Sequence, residues 1–182
     1  TPALSSAASD VYKRQGILNI TDDSFYDGSR FNKNIDIISQ SRKMLDEGAE
    51  IIDIGAQSTR PGAKMISSKD EIKKLIPVIK LLKTENPDII ISIDTFWSDT
   101  AKACVDFGAN IINDISAGNI DKKMFDTIAN LKVPYIIMHM KGVPSNMQLN
   151  PKYENIVEEI ILFFNEKIKI LNQKGVKNII LD

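Results

Sequence analysis

The amino-acid sequence predicts an α/β fold, a (β/α)8 TIM barrel that is truncated after its sixth strand. Six short apolar runs alternate with five stretches of helical periodicity. Three of the runs follow a glycine that would end a helix, and they finish on Asp or Asn, so the order is helix end, strand, polar loop. The connections are long enough for right-handed crossovers between parallel strands.

A doubly wound sheet would show the same alternation of strands and helices. That architecture places its ligand at one switch point, and no glycine-rich dinucleotide fingerprint follows the first strand here. Polar residues follow every strand instead, which favours the barrel. A complete barrel takes about 250 residues. We therefore expect the last two βα units to be missing from these 182 residues.

Length and composition indicate one domain. We assign residues 16–182 to the barrel and residues 1–15, which are rich in Ser and Ala, to a leader that is disordered or foreign to the domain. A formal charge of −1 without a basic block argues against nucleic acid or an anionic membrane as partner. The single cysteine, Cys104, cannot form an internal disulfide, so we expect a cytoplasmic protein in which this residue is a buried hydrophobe.

The most informative stretch is residues 51–62. A non-alternating apolar run reads as a strand buried on both faces, and it gives way to small and polar residues at Gly55. Pro61 and Gly62 mark a loop. Thr59 and Arg60 therefore lie just beyond the carboxyl end of a buried strand, where parallel α/β folds bind their ligands.

The other strands are predicted at residues 16–20, 89–93, 111–114, 134–139 and 179–182. Helices are predicted at residues 34–47, 98–107 and 121–130, and a long helix begins at Asn150 and Pro151. A capping box of Ser68 and Glu71 precedes a further helix, which Pro77 should kink. The apolar faces expected for the first two helices are Ile35, Ile38 and Leu45, then Ile72, Leu75, Ile76, Ile79 and Leu82.

The strand ends bring a set of polar residues to one face of the barrel. Carboxylates and a carboxamide suit a planar, nitrogen-rich heterocycle, because they accept hydrogen bonds from its ring N–H and amino groups. A phosphate ester would call for several cations, and only Arg60 offers one. The residues are Asn19, Asp27, Thr59, Arg60, Asp94, Asn113, Met138 and Asp182.

Five ordered motifs together resemble the dihydropteroate synthase family over residues 16–182. They are GILNIT with the Asp27–Gly28 pair, DIG with STRPG at residues 53–62, SIDT at 92–95, IINDI at 111–115 and MHMKG at 138–142. The family's enzyme is a (β/α)8 barrel of folate biosynthesis. It condenses 6-hydroxymethyl-7,8-dihydropterin pyrophosphate with para-aminobenzoate and releases pyrophosphate with the help of Mg²⁺.

The resemblance implies a role for each matching residue. Asp94, Asn113 and Asp182 would hold the pterin ring, with Met138 packed nearby, and Asn19 would meet the Mg²⁺. Five residues of the loops after the first two strands would close the site over the leaving group and shape the aminobenzoate pocket, and two of the five would be catalytic. These are Phe25, Thr59 and Pro61, and the catalytic Asp27 and Arg60. The complete family enzyme is expected to be a homodimer.

Some features depart from the family or leave alternatives open. Asp22, Ala56 and Gln57 stand where the family usually has Pro, Gly and Glu, and the family's later anion-binding loops would lie beyond Asp182. One alternative is another pterin-binding barrel, a methyltetrahydrofolate corrinoid methyltransferase. The other is a non-catalytic pterin-binding fragment.

Two polar residues within the motifs are left out of the predicted site. Asp53 lies within its strand and is as readily a structural hydrogen-bonding group as a ligand. His139, the single histidine, lies between two methionines and is interpreted as a packed core group rather than a general base.

Overall fold

The computed structural model describes residues 13–20, 30–57, 65–142 and 151–182. Within these ranges six strands form one parallel sheet, with neighbours in sequential order from β1 to β6. The strands alternate with five helices. A doubly wound sheet would reverse its strand order at a switch point, so the sequential order confirms six consecutive units of the barrel.

The elements agree with the predicted ones in type and order. The strands are β1 Gln15–Asn19, β2 Ile51–Gly55, β3 Ile90–Asp94, β4 Ile111–Asp114, β5 Tyr135–Ile137 and β6 Ile179–Leu181. The helices are α1 Arg30–Asp46, α2 Ser68–Glu85, α3 Ser98–Asp106, α4 Met124–Leu131 and α5 Ile156–Gln173. In the part of the chain covered by these ranges, no helix is long and apolar enough to cross a membrane.

The two sides of the sheet have different neighbours. Alternate residues of the central strands, Ile52, Ile91 and Ile112 among them, are fully buried against the helices. Cys104 on α3 is fully buried in the same core, as predicted, and burial raises the pKa of its thiol. The opposite, inner side carries a smaller apolar cluster made of Ile51, Ile90, Ile111 and Ile136. The inner side is therefore apolar at the amino ends of the strands.

The predicted face of α1 is wrong at one position. Ile35 is 49% exposed, whereas Ile37 and Ser41 are buried. These two buried residues are spaced i, i+4 and so lie on one side of the helix. Ser41 is tolerated there because its hydroxyl donates to the carbonyl of Ile38 at 2.9 Å.

The starts of α1, α4 and α5 differ from the predicted ones. α1 begins at Arg30 rather than at residue 34. α5 begins at Ile156 rather than at Asn150 and Pro151, since the side chain of Asn155 accepts from the N–H of Glu158. α4 begins at Met124 without a side-chain cap. Asp121 precedes it, and its carboxylate accepts from the N–H of Lys123 and from the backbone and hydroxyl of Ser98 at the start of α3.

The N-cap of α2 is Ser67, one residue before the predicted Ser68. Its hydroxyl accepts from the N–H of Asp70 at 3.2 Å. Glu71 therefore does not take part in a capping box; it is fully buried and takes a different partner. The helix continues through Pro77, and its buried apolar side is Leu75, Val78, Ile79 and Leu82, while Ile72 and Ile76 are half-buried.

This cap gives a first test. Ser67→Ala removes the acceptor of an orphan helix N–H, so we expect the free energy of unfolding to fall by about 1 kcal/mol in urea titrations. Ser68→Ala is the matched control at the neighbouring position and should change it by less than about 0.5 kcal/mol. An equal loss in both variants would contradict the placement of the cap.

Candidate functional site

Polar residues line the inner side of the sheet at its carboxyl edge. Across the strands Asn19 is in register with Gly55, Gly55 with Asp94, and Asp94 with Asn113. Partners in a parallel register point to the same side, so the side chains of Asn19, Asp94 and Asn113 share one face. The prediction that the strand ends converge is confirmed for these three residues.

Met138 and Asp182 extend the same face. Asn113 is in register with Ile136, and Ile136 with Ile180. Met138 comes two residues after Ile136, and Asp182 comes two residues after Ile180. Side chains repeat their direction every second residue along a strand. The ladder persists to Asp182, whose N–H donates to the carbonyl of Ile137 at 3.0 Å.

Asn113 is hydrogen-bonded to a residue outside the predicted site. Its Nδ2 donates to Oδ2 of Asp53 at 3.1 Å, and Asp53 is 6% exposed. Within the described ranges, three buried atoms in this region lack a partner: Oδ1 of Asp53, Oδ1 of Asn113 and Oγ of Ser92. An unpaired buried polar group costs about 1–3 kcal/mol. A bound molecule with N–H donors would remove part of that cost.

The carboxyl of Asp94 is strongly perturbed. Burial raises its pKa to about 7, and the negative charges of Asp53, Glu71 and Asp114 also raise it. Burial likewise raises the pKa of Asp53, partly opposed by Ser92 and Asn113. Perturbed carboxyls at the mouth of a barrel are typical of ligand sites. Donors on a ligand would stabilise the charged form of Asp94.

Gly55 provides the space that the Asp94 side chain occupies. A Cβ at position 55 would lie 3.2 Å from Oδ2 of Asp94 and 3.3 Å from its Cβ. Both distances are tighter than usual for side chains, so an alanine would push the carboxyl away. In the sequence, Gly55 marks only the end of a strand; its fit against the Asp94 side chain is a second role that depends on the fold.

A second layer of buried polar groups supports this edge from the helix side. Thr95 donates to Glu71 at 2.6 Å, and the N–H of Trp97 donates to the hydroxyl of Thr95 at 3.1 Å. Burial raises the pKa of Glu71, partly opposed by Thr95. These contacts join α2 to the segment that follows Asp94.

Gln57 anchors the chain after β2. Its Nε2 donates to the carbonyl of Ile66 at 3.1 Å, and its Oε1 accepts from the N–H of Ile66 at 3.2 Å. A carboxamide can both donate and accept, whereas the carboxylate usual in the family could only accept. The departure from the family at this position therefore has a defined structural partner.

Asp114 faces away from Asn113 and has a structural environment. Tyr135 donates to its Oδ2 at 2.6 Å, and Ser116 donates to its Oδ1 through both the backbone N–H and the hydroxyl. Gly118 adds a further backbone N–H. Asp114 thus fixes the turn after β4, and burial still raises its pKa.

His139 packs among aromatic rings, as predicted. Its ring centroid lies 4.9 Å from that of Phe163 and 5.9 Å from that of Tyr153. Since neighbouring residues of an extended segment face opposite sides, these contacts direct His139 to the helices and away from the inner face.

The remaining predicted site residues lie outside the described ranges: Phe25, Asp27, Thr59, Arg60 and Pro61. Among the described residues, no group of three or more His, Cys, Asp or Glu is arranged to hold a metal ion. Asp53 was left out of the prediction and belongs with the site. The signal that identified Asp94, a carboxylate among isoleucines, was equally present at Asp53.

The sequence pattern of the family described as pterin binding enzyme matches residues 15–182. The folic acid synthesis protein fol1 of Schizosaccharomyces pombe is 45% identical over 92% of this chain and 23% of its own length. A dihydropteroate synthase of Clostridium beijerinckii is 43% identical over 92% of the chain and 60% of its own length.

A solved structure agrees with this likeness. The dihydropteroate synthase of Clostridium difficile, crystallised in the presence of pteroic acid, superposes with a TM-score of 0.83 at 40% identity, covering 93% of this chain and 63% of that one. The chain thus spans less than two thirds of each of these proteins. The match over residues 15–182 establishes that the chain belongs to the pterin-binding enzyme family.

Proposed function

We propose that the complete protein is a dihydropteroate synthase, a transferase that joins a dihydropterin-methyl group to para-aminobenzoate. The observation that carries the proposal is the row of Asp94 and Asn113 at the carboxyl edge of a pterin-binding barrel, where the pKa of Asp94 is strongly raised and Oδ1 of Asn113 is left unpaired among the described residues. Relatives that bear the name dihydropteroate synthase support it. The substrates would be 6-hydroxymethyl-7,8-dihydropterin pyrophosphate and para-aminobenzoate.

The pterin ring would bind on the inner face between Asp94, Asn113 and Asp182. A pterin presents amino and ring N–H donors in its plane, and these three side chains provide carboxylate and carboxamide acceptors. Met138, on the same face, would pack against the ring. The small apolar cluster formed by Ile51, Ile90, Ile111 and Ile136 lies below this layer and limits the depth of the site.

The reaction requires positioning and charge stabilisation rather than a covalent enzyme intermediate. The amine of para-aminobenzoate forms the new C–N bond to the pterin methylene carbon as the C–O bond to pyrophosphate breaks, and the amine loses a proton. The two catalytic residues, Asp27 and Arg60, would act together with Phe25, Thr59 and Pro61 to close the site over the leaving group and to shape the aminobenzoate pocket.

Asn19 is proposed to meet Mg²⁺. Mg²⁺ prefers oxygen ligands and usually keeps several waters beside substrate phosphates, so one carboxamide at the exposed end of β1 fits this role without a protein cage. When bound, the ion would neutralise charge on the pyrophosphate. Asn19 would orient it through its carboxamide oxygen.

Assembly and location remain predictions of the same proposal. A homodimer is expected for the complete enzyme, and a cytoplasmic location is expected from the cysteine usage. Size-exclusion chromatography with light scattering and localisation of a tagged full-length protein would address the two separately.

Product formation tests the proposed activity. The full-length protein, supplied with both substrates and Mg²⁺, should release pyrophosphate and form dihydropteroate in equal amounts, measured by a phosphate-coupled assay and chromatography. Pyrophosphate release that does not depend on para-aminobenzoate would contradict it. Methyl transfer from methyltetrahydrofolate to a corrinoid without dihydropteroate synthesis would favour the methyltransferase instead.

Asp94→Asn should change stability and ligand affinity in opposite directions. The pKa of Asp94 in the folded protein, about 7, lies above the ordinary value of 3.8, so the folded state binds more protons between these pH values. The free energy of unfolding contributed by this group therefore falls as pH rises from about 4 to 7. The variant should be more stable than wild type at pH 8, on the order of 2–4 kcal/mol, with the difference vanishing near pH 4.

The same variant should bind 6-hydroxymethylpterin at least about tenfold more weakly, because an amide replaces a charged acceptor. Urea denaturation across pH and calorimetry measure the two effects. Asp88→Asn, at an exposed position, controls for the change in net charge. Unchanged stability at pH 8 would contradict the assigned burial, and wild-type affinity would contradict the assigned contact.

A further inference from the structure

We propose that Asp53 is a positioning residue that holds the carboxamide of Asn113 with its oxygen turned toward the ligand. The inference rests on the proposed pterin site and adds a residue to it. Asp53 would act through Asn113 rather than by contact with the reacting atoms. It would thereby decide whether position 113 presents an acceptor or a donor to the bound ring.

The hydrogen bond between the two residues spans two strands. Asp53 lies on β2 and Asn113 on β4, with β3 between them. Neighbouring strands are about 4.8 Å apart, so the bond from Nδ2 to Oδ2 at 3.1 Å requires both side chains to reach inward over Ser92 and Asp94. The contact therefore joins Asn113, in the row of Asp94, to Asp53, which lies two residues nearer the amino ends of the strands.

The chemistry of the partner fixes the orientation of the amide. An ionised carboxylate accepts hydrogen bonds and cannot donate, so Asn113 must turn its NH₂ group toward Asp53. Its Oδ1 then points elsewhere, and it is buried without a partner. The donation in turn favours the ionised form of Asp53 against the effect of burial.

The unpaired atoms distinguish a positioning role from a purely structural one. If the hydrogen bond between these two residues served only stability, their other polar atoms should also have partners, because each unpaired buried acceptor costs about 1–3 kcal/mol. Here Oδ1 of Asn113 is buried without a partner among the described residues, whereas the Ser92 hydroxyl acts on the Asp53 carboxyl and lowers its pKa. Asn113 is in register with Asp94, so its free oxygen and the Asp94 carboxyl form two neighbouring acceptors on one face. This arrangement selects a ligand with neighbouring N–H donors.

A double-mutant cycle tests the inference in the full-length protein, with 6-hydroxymethylpterin as the probe in calorimetry. Asp53→Ala should raise Kd by about tenfold or more, since the amide loses its fixed orientation. In an Asn113→Ala background the same change should raise Kd by less than about threefold, because nothing is left to position. Equal increases in the two backgrounds, or wild-type Kd in Asp53→Ala, would overturn the inference.

Two further variants keep the test decisive. Asp53→Asn preserves volume if the alanine variant fails to fold, and it should also weaken binding, because an amide can accept from or donate to Asn113. Ile128→Val removes one methyl group from the core between the sheet and the helices and controls for lost stability; it should lower Tm with Kd within about twofold of wild type. An increase in Kd that merely tracks Tm across all variants would overturn the positioning role.

The outcomes also separate this inference from the function on which it rests. If the wild-type protein does not bind the pterin, the proposed function fails and the inference fails with it. If Asn113→Ala weakens binding while both Asp53 variants bind like wild type, only the inference fails.

Discussion

The period-two alternation of side chains along six parallel strands is the constraint on which the rest of the structure depends. It sends Ile52, Ile91 and Ile112 outward to the helices and sends the alternate residues to the inner side. Because the strands pair in parallel and in sequential order, every carboxyl end lies at the same edge. One pattern of side chains therefore produces both the core and the candidate site.

The inner side carries a conflict between stability and binding. Asp53 and Asp94 both lie on this side, and the charges of Glu71 and Asp114 reach Asp94 from the other side of the sheet. Burying carboxyls near one another disfavours their charged forms. The apolar packing between sheet and helices offsets this, and a ligand with N–H donors would relieve it. The groups that destabilise this edge in the free protein are therefore the same groups that would bind the ligand.

Much of the fold follows from the sequence because its signals are local. Apolar runs, glycines at helix ends and crossover length predicted every described strand and helix, and strand-end position correctly brought Asp94 and Asn113 together. The predicted element boundaries were less accurate, because a helix start depends on which nearby hydroxyl or carboxylate accepts a hydrogen bond from its first N–H groups. Ser67 rather than Ser68 caps α2, and Asp121 accepts both from Ser98 of α3 and from Lys123, so α4 begins only at Met124.

The contacts that the sequence could not predict are those between distant segments. The bond between Asp53 and Asn113 joins residues on strands separated by a third, and the fit of Asp94 against Gly55 depends on the close approach of two backbones. Neither has a local periodicity. The sequence did contain one signal for Asp53, a carboxylate inside a run of isoleucines. Because Asp53 lies two residues before Gly55, the period of two would have placed both on the inner side.

The proposed pterin site on the inner face of the sheet is tested most directly by a crystal structure of the full-length protein with 6-hydroxymethylpterin bound. We expect the ring on the inner face, within hydrogen-bond distance of Asp94 and of Oδ1 of Asn113, while Nδ2 of Asn113 still donates to Asp53. A ring bound elsewhere, or bound with the Asn113 amide turned away from Asp53, would contradict it.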